Sequence, residues 1–184
     1  MIDIYPKLSP SLHAPSWCVA LSGGLDSTVL LHLLVSQSRK QALPPIRAIH
    51  VHHGLQAAAD AWPAHCRRLC DALGVDLQVV HVHVAPGASL EQGARNARYA
   101  AFAGALAPGE VLLTGQHRED QAETLLFRLL RGAGVRGLAA MPEERALGQG
   151  VLLRPLLDVS REALEAYAHA QRLSWVEDPS NSDT

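Results

Sequence analysis

The sequence predicts an α/β fold: a doubly wound parallel sheet with helices on both faces. Two observations carry this expectation. Short apolar runs alternate with longer helical patterns from one end of the chain to the other, and strands separated by helices of about a dozen residues form parallel βαβ units. Between the first apolar run and the first helical pattern stands SGGLDST, residues 22–28, a strand-to-helix loop placed where such sheets hold ligands.

The elements follow in order. SWCVALS (16–22) is apolar enough for a buried strand. DSTVLLHLLVSQ (26–37) has apolar residues at helical spacing, with Asp26 or Ser27 able to cap its start. IRAIHVHH (46–53) is a second strand and ADAWPAHCRRLCDALG (59–74) a helix closing at Gly74. DLQVVHVHV (76–84) is a third strand. SLEQGARNARYAAFAGALA (89–107) opens a helix at Ser89. EVLLTGQ (110–116) is a fourth strand, and REDQAETLLFRLLRGAG (118–134) a helix closed by Gly132 or Gly134. A short strand (151–154), a helix (160–172) and a last strand (173–177) complete the set. MPEERALGQG (141–150), polar and glycine-containing, is expected to be a surface loop. The closing WVEDPSNSDT is a polar turn of the kind found at a domain boundary.

At 184 residues, 48% apolar and 18% charged, the chain suits one soluble globular domain spanning 1–184. No apolar run reaches the ~18–20 residues that span a bilayer, and MIDIYPKLSP is no signal peptide. A cytoplasmic location, with no membrane partner, is expected. Three cysteines without framework spacing argue against secreted disulfides; Cys66 and Cys70, four apart, read as packed helix residues. His50 and His52 share a strand face, as do His81 and His83, but neither cysteine nor carboxylate completes a metal set. The net charge of −2 counts against a free-standing nucleic-acid binder. Its cations are two lysines, Lys7 and Lys40, and fourteen arginines. Arginine suits bidentate phosphate contacts and stacking on bases.

SGGLDST carries the chemistry. Gly23 and Gly24 let the backbone turn sharply and expose its N–H groups, and the helix amino end adds unpaired donors. With Leu25 leading into the helix, these make an anion site suited to phosphate. The chain holds no Gly-Lys pair, so this is not a Walker loop. It lacks the dinucleotide pattern G-x-G-x-x-G after the strand as well. Ser22 and Ser27 can donate to phosphate oxygens. Asp26 repels a bare phosphate, so its expected role runs through Mg²⁺, which takes few carboxylates plus phosphates and waters.

S-G-G-x-D-S is similar to the loop of the ATP pyrophosphatases, which grips the pyrophosphate released when ATP is cleaved between its α- and β-phosphates. The resemblance narrows with AIHVHHGLQ (48–56), ARNARYAAF (94–102), TGQHREDQAETLLFRLLRGAGVRGLAAMP (114–142), RPLL (154–157) and WVEDPSN (175–181). From about residue 17 onward the chain resembles the tRNA(Ile)-lysidine synthetases. That resemblance implies ATP with Mg²⁺ and two further substrates, L-lysine and an isoleucine tRNA with a CAU anticodon. The base carbonyl of the wobble cytidine is adenylated, and the lysine amine then displaces AMP. It implies that His117 donates to the α-phosphate, and that Asp120 and Glu123 orient the cytosine or receive the lysine ammonium. Arg95 or Arg98 neutralises phosphate, and backbone from Val51 to His53 lies near adenine. Two aspartates often precede the glutamine of H-x-x-D-Q in this family; here the first is Glu119. Full-length relatives carry further tRNA-holding domains beyond this segment. The alternatives are another tRNA modifier of the same superfamily, such as a thiolase, a small-molecule ligase, or an ATP-binding module without turnover.

Overall fold

The computed structural model describes residues 2–52, 54, 61–83, 90–132 (side chains from residue 92) and 140–177. Within them, β1 (Trp17–Ala20), β2 (Ile46–His52), β3 (Asp76–His81), β4 (Val111–Leu113), β5 (Glu144–Leu147) and β6 (Gly150–Leu153) form one sheet. Its order is β3-β2-β1-β4-β6-β5. Every neighbouring pair is parallel except β5–β6. The helices are α1 (Tyr5–Leu8), α2 (Leu25–Ser38), α3 (Trp62–Leu73), α4 (Leu90–Ala105), α5 (Arg118–Leu130) and α6 (Arg161–Ala170).

Successive strand side chains point to opposite faces, and both faces here are covered. Trp17, Val19, Val111 and Leu113 face a core completed by Leu30 and Leu34 of α2, Cys66 and Cys70 of α3, and Leu164 of α6. Cys18, Leu112 and Leu152 face the other core, closed by Phe102 and Leu106 at the α4 end. The expected doubly wound sheet is therefore present, with an antiparallel strand added at one edge. Strand order reverses between β1 and β4, so the loops leaving these two strands diverge around a crevice at their carboxyl ends.

The boundaries of α2 have a local cause. Gly24, extended at φ −72°, ψ 171°, is its N-cap, and no side chain caps the first turn. Asp26 and Ser27 therefore stand inside the helix rather than at its cap position, a correction to the expectation above. The N–H groups of that turn are left without a capping side chain. Helix α3 ends as expected at Gly74, whose φ of 70° suits the left-handed turn there.

Two further expectations are corrected. Residues 141–150 are not simply a loop: Glu144–Leu147 pairs with Gly150–Leu153 as a hairpin closed by Gly148 and Gln149. Three of the four residues in β5 are exposed, so this edge strand lacks the apolar alternation that marks a strand in sequence. Residues 173–177 form no strand. Their backbone instead serves the loop after β1, with Val176 N–H donating to Gly23 O at 2.9 Å. Helix α1, unmarked in the sequence, inserts Ile4 and Leu8 into the first core.

The amino ends of the strands hold a buried ion pair. Arg47 donates through Nε and Nη2 to Glu110 at 2.7 Å each, and Ser16 and the Ala107 N–H also donate to that carboxylate. Glu110 is 1% exposed. Burial pushes its pKa up, but Arg47 and the other donors outweigh burial and hold it below the usual carboxylate value. A depressed carboxylate stabilises the fold fully above its unfolded pKa of about 4.3 and loses that contribution as pH falls through the folded value. Arg47→Ala should therefore destabilise the chain by roughly 3 kcal/mol at pH 7, because it strands a buried charge. In urea melts at a series of pH values, the gap between wild type and Glu110→Gln should shrink below about pH 4.

Candidate active site

Residues 21–28 form a tightly bonded loop. Leu21 N–H donates to Ile49 O at 2.8 Å, and His50 Nδ1 lies 2.8 Å from Leu21 O. His50 thus fixes the start of the loop. Ser27 Oγ donates to Gly24 O and accepts from Ser22 N–H, both at 3.2 Å. The Ser22 hydroxyl lies 3.0 Å from Ser27 Oγ and accepts from Gly24 N–H. Gly23 has φ +93°, and a Cβ there would meet Cys66 Sγ at 3.1 Å and Val176 Cγ2 at 3.2 Å. Glycine is required at this position twice over, by conformation and by space.

The segment after β4 approaches this loop closely. A Cβ on Gly115 would stand 3.0 Å from the Asp26 carbonyl carbon and 3.1 Å from Ser27 N. That contact brings the amino end of α5 beside that of α2. Asp120 Oδ2 accepts from His117 N–H at 2.8 Å, tying down the start of α5. Arg118 N–H donates to Val159 O, and the Gln121 side chain bonds both Met141 N–H and Met141 O. Beyond this anchored turn, α5 buries nothing and exposes Leu126, Phe127, Leu129 and Leu130.

His117, 4% exposed, is the hub of the cluster. Its Nδ1 is 3.0 Å from Glu119 Oε2, and its Nε2 is 3.7 Å from both Asp26 Oδ1 and Asp120 Oδ2. If Nδ1 donates to Glu119, Nε2 can donate only when the ring carries two protons. Asp26 Oδ1 is buried and accepts no hydrogen bond. Burial pushes the Asp26 pKa up; His117 opposes that shift and Asp120 adds to it. An orphaned carboxylate oxygen beside a second carboxylate fits a divalent cation. No group of three or more His, Cys, Asp or Glu among the described residues forms a metal site. A cation here would draw its remaining ligands from phosphate and water, as Mg²⁺ prefers.

A cavity of about 260 Å³ opens beside these residues. Of the residues singled out in the sequence, Ser22, Asp26, Ser27, Arg95, Arg98 and Asp120 line it. Gly23, Gly24 and Leu25 shape the loop, and His117 stands behind Asp26 and Asp120. Glu123 is exposed on α5 and outside the lining, and His53 lies outside the described residues. Val51 and His52 do line the cavity. Sequence reasoning missed Trp62, Tyr99, Thr114, Gly115 and Gln116, which also line it. TGQ was visible as a segment, but only the contact with α2 shows why glycine stands at 115.

A glycine-bearing phosphate loop at a strand-order reversal, of neither Walker nor dinucleotide type, defines a nucleotide-binding α/β protein of its own class. The chain belongs to that class: the family described as the PP-loop domain matches residues 4–184. It is similar to proteins named tRNA(Ile)-lysidine synthase. The one from Pseudomonas putida is 71% identical over 178 residues, 97% of this chain and 42% of that protein. The one from Pseudomonas aeruginosa is 67% identical, covering 96% of this chain and 40% of that protein. The one from Yersinia pseudotuberculosis is 54% identical, covering 98% and 40%. The chain thus spans about two fifths of the length of the curated relatives it matches. Among solved structures, the U34-tRNA thiolase NcsA from Methanococcus maripaludis superposes with a TM-score of 0.74 at 17% identity, over 96% of this chain and 64% of that one. A phosphoadenylyl-sulfate reductase from Candida auris gives 0.54 at 14%, over 95% and 82%. These two likenesses are of fold alone.

Two outcomes check the geometry. Gly115→Ala should push the 114–117 segment away from α2 and destabilise the chain by ~1–3 kcal/mol, read as a fall in Tm. Asp26→Asn should do the reverse. Because the folded pKa of Asp26 is raised, its ionisation opposes folding, a cost that grows as pH rises above the unfolded pKa of about 3.9 and is complete above the folded value. The ligand-free variant should therefore gain up to about 1 kcal/mol at pH 7, discounted for partial exposure, and should match wild type at pH 3.

Proposed function

We propose that this chain is the catalytic domain of an enzyme that adenylates the wobble cytidine of a CAU-anticodon isoleucine tRNA and replaces AMP with L-lysine, giving lysidine. The observation that carries this reading is the Asp26–His117–Asp120 cluster at the amino ends of α2 and α5, facing the cavity beside the SGGLDS loop. The lysidine synthase name of relatives up to 71% identical supports the choice of base and amine.

ATP enters as substrate. The uncapped first turn of α2 and the Gly23 backbone offer N–H donors to its β- and γ-phosphates. Asp26 would hold Mg²⁺, which would supply charge neutralisation for the triphosphate. His117, when doubly protonated, donates from Nε2 towards the α-phosphate as the base carbonyl oxygen attacks phosphorus and pyrophosphate leaves. Arg95 and Arg98, on the far wall, compensate the remaining negative charge. Asp120 and the outlying Glu123 serve the cytosine amine or the lysine ammonium. In the second step the lysine amine adds at the base carbon, AMP leaves with the former carbonyl oxygen, and a proton is lost from nitrogen. AMP is the better leaving group, which is the reason for the first step. A cytoplasmic location fits an enzyme that acts on tRNA. No described helix is long and apolar enough to cross a membrane.

A thiolase reading fits less well. Cys18, Cys66 and Cys70 are buried, and burial pushes their thiols up to about 12, 12 and 11. Thiols so held are poor sulfur carriers or cluster ligands.

ATP–pyrophosphate exchange that depends on the tRNA, followed by mass spectrometry of its nucleosides, tests the proposal. Lysidine is expected; 2-thiocytidine, or exchange without tRNA, would sink it. Asp26→Ala should slow adenylation by about 10²- to 10³-fold. The chain alone should bind ATP–Mg²⁺ yet bind tRNA more weakly than the longer relatives do at matched salt, given its net charge of −2. Equal affinities would show that the relatives' additional length adds no grip.

A further inference from the structure

A second cavity, of about 370 Å³, lies against the first and shares Arg95 and Tyr99 with it. Arg128, Arg145 and Arg154 also line it. These residues come from four places: α4, α5, the edge strand β5 and the turn after β6. Arg145 pairs with Leu152 across the hairpin, and Arg154 follows two residues later on the same face. Arg95 and Arg145 both stack on Tyr99, with guanidinium carbons 5.3 and 5.0 Å from the ring centroid.

Arg154 is the unusual member. It is 3% exposed, its Nη1 donates to Pro142 O at 2.7 Å, and its Nε is buried without a hydrogen-bond partner. Burial opposes its charge most, the Tyr99 hydroxyl favours it, and the Arg145 and Arg95 guanidinia repel it. Among the described residues no carboxylate pairs with Arg95, Arg145 or Arg154. A buried guanidinium with its Nε unbonded, beside two other arginines, offers a site for an anion that the described residues do not supply.

We propose that this cavity binds a backbone phosphodiester of the RNA substrate next to the nucleotide whose base enters the first cavity. The assignment rests on the proposed RNA substrate. A single carboxylate is satisfied by one bidentate arginine; here three surround one tyrosine in an open cavity. Arginine planes and a tyrosine also offer stacking surface to a splayed base. A polynucleotide with one base in the first cavity must leave it along its backbone, and the shared Arg95–Tyr99 wall is an exit lined with cations.

The test is binding of a CAU-anticodon stem-loop RNA at low ionic strength over a series of salt concentrations. Arg145→Ala, at an exposed edge-strand position, and Arg154→Gln should each weaken binding about 5- to 10-fold. Each should lower the slope of log K against log salt by roughly 0.7–1, one phosphate contact. ATP affinity should be unchanged. If Arg154→Gln fails to fold, Arg145→Ala carries the test alone. No RNA binding by wild type at the lowest salt, or unchanged slopes in the variants, would overturn the assignment. So would loss of lysine saturation with RNA binding intact, which would make the cavity a carboxylate site. If both slopes fall but no lysidine forms in the presence of ATP, lysine and the full tRNA, the phosphodiester site stands and the proposed reaction falls.

Discussion

The contact between Gly115 and the first turn of α2 is the constraint on which the site depends. Strands β1 and β4 are hydrogen-bonded neighbours, with Val19 opposite Leu113. Their outgoing segments lead to separate helices, yet the second must pass the first with no side chain between them. That close passage sets Asp26 and Asp120 at equal distances from one imidazole nitrogen. A residue with a Cβ at 115 would separate the amino ends of α2 and α5, and the charges between them would no longer converge.

Convergence is unfavourable in the empty protein. Two carboxylates meet at a place where Asp26 Oδ1 has no hydrogen-bond donor, and like charges at that range oppose ionisation. The fold tolerates this because its stabilising contacts lie elsewhere. The two apolar cores cover the two faces of the sheet, and the satisfied Arg47–Glu110 pair sits at the amino edge, opposite the site. Stability thus lies in the body and amino end of the sheet and unmet charge at its carboxyl end, the usual division between scaffold and site.

The parallel core was legible because its strands are continuous apolar runs and its long helices have apolar spacing. SGGLDS was legible because all its working parts are contiguous. What escaped the sequence has physical reasons. β5 is an edge strand with Glu144, Arg145 and Ala146 exposed, so its pairing is dictated by the tight turn at Gly148 rather than by apolar alternation. Residues 173–177 have strand-like composition, but Trp175 packs on His169 and Val176 bonds the loop at Gly23. Propensity yielded there to a tertiary contact. The roles of Tyr99 and Arg154 depend on neighbours more than forty residues away in sequence, at positions 145 and 99 respectively. Arg154 was visible only as part of RPLL.

The chain's overall charge and its local charge answer different questions. A net charge of −2 gives no broad field to draw in a polyanion. Within the sheet's carboxyl edge, however, the signs are sorted. Carboxylates gather around His117, where a cation with phosphate can neutralise them, and arginines gather around Tyr99, where an anion can. Arg95 and Tyr99 belong to both cavities. A ligand bridging the two would meet acid with its metal-bearing end and base with its backbone. Such sorting can position a substrate that is already held, and it leaves the longer-range attraction of an RNA to surfaces outside these two cavities.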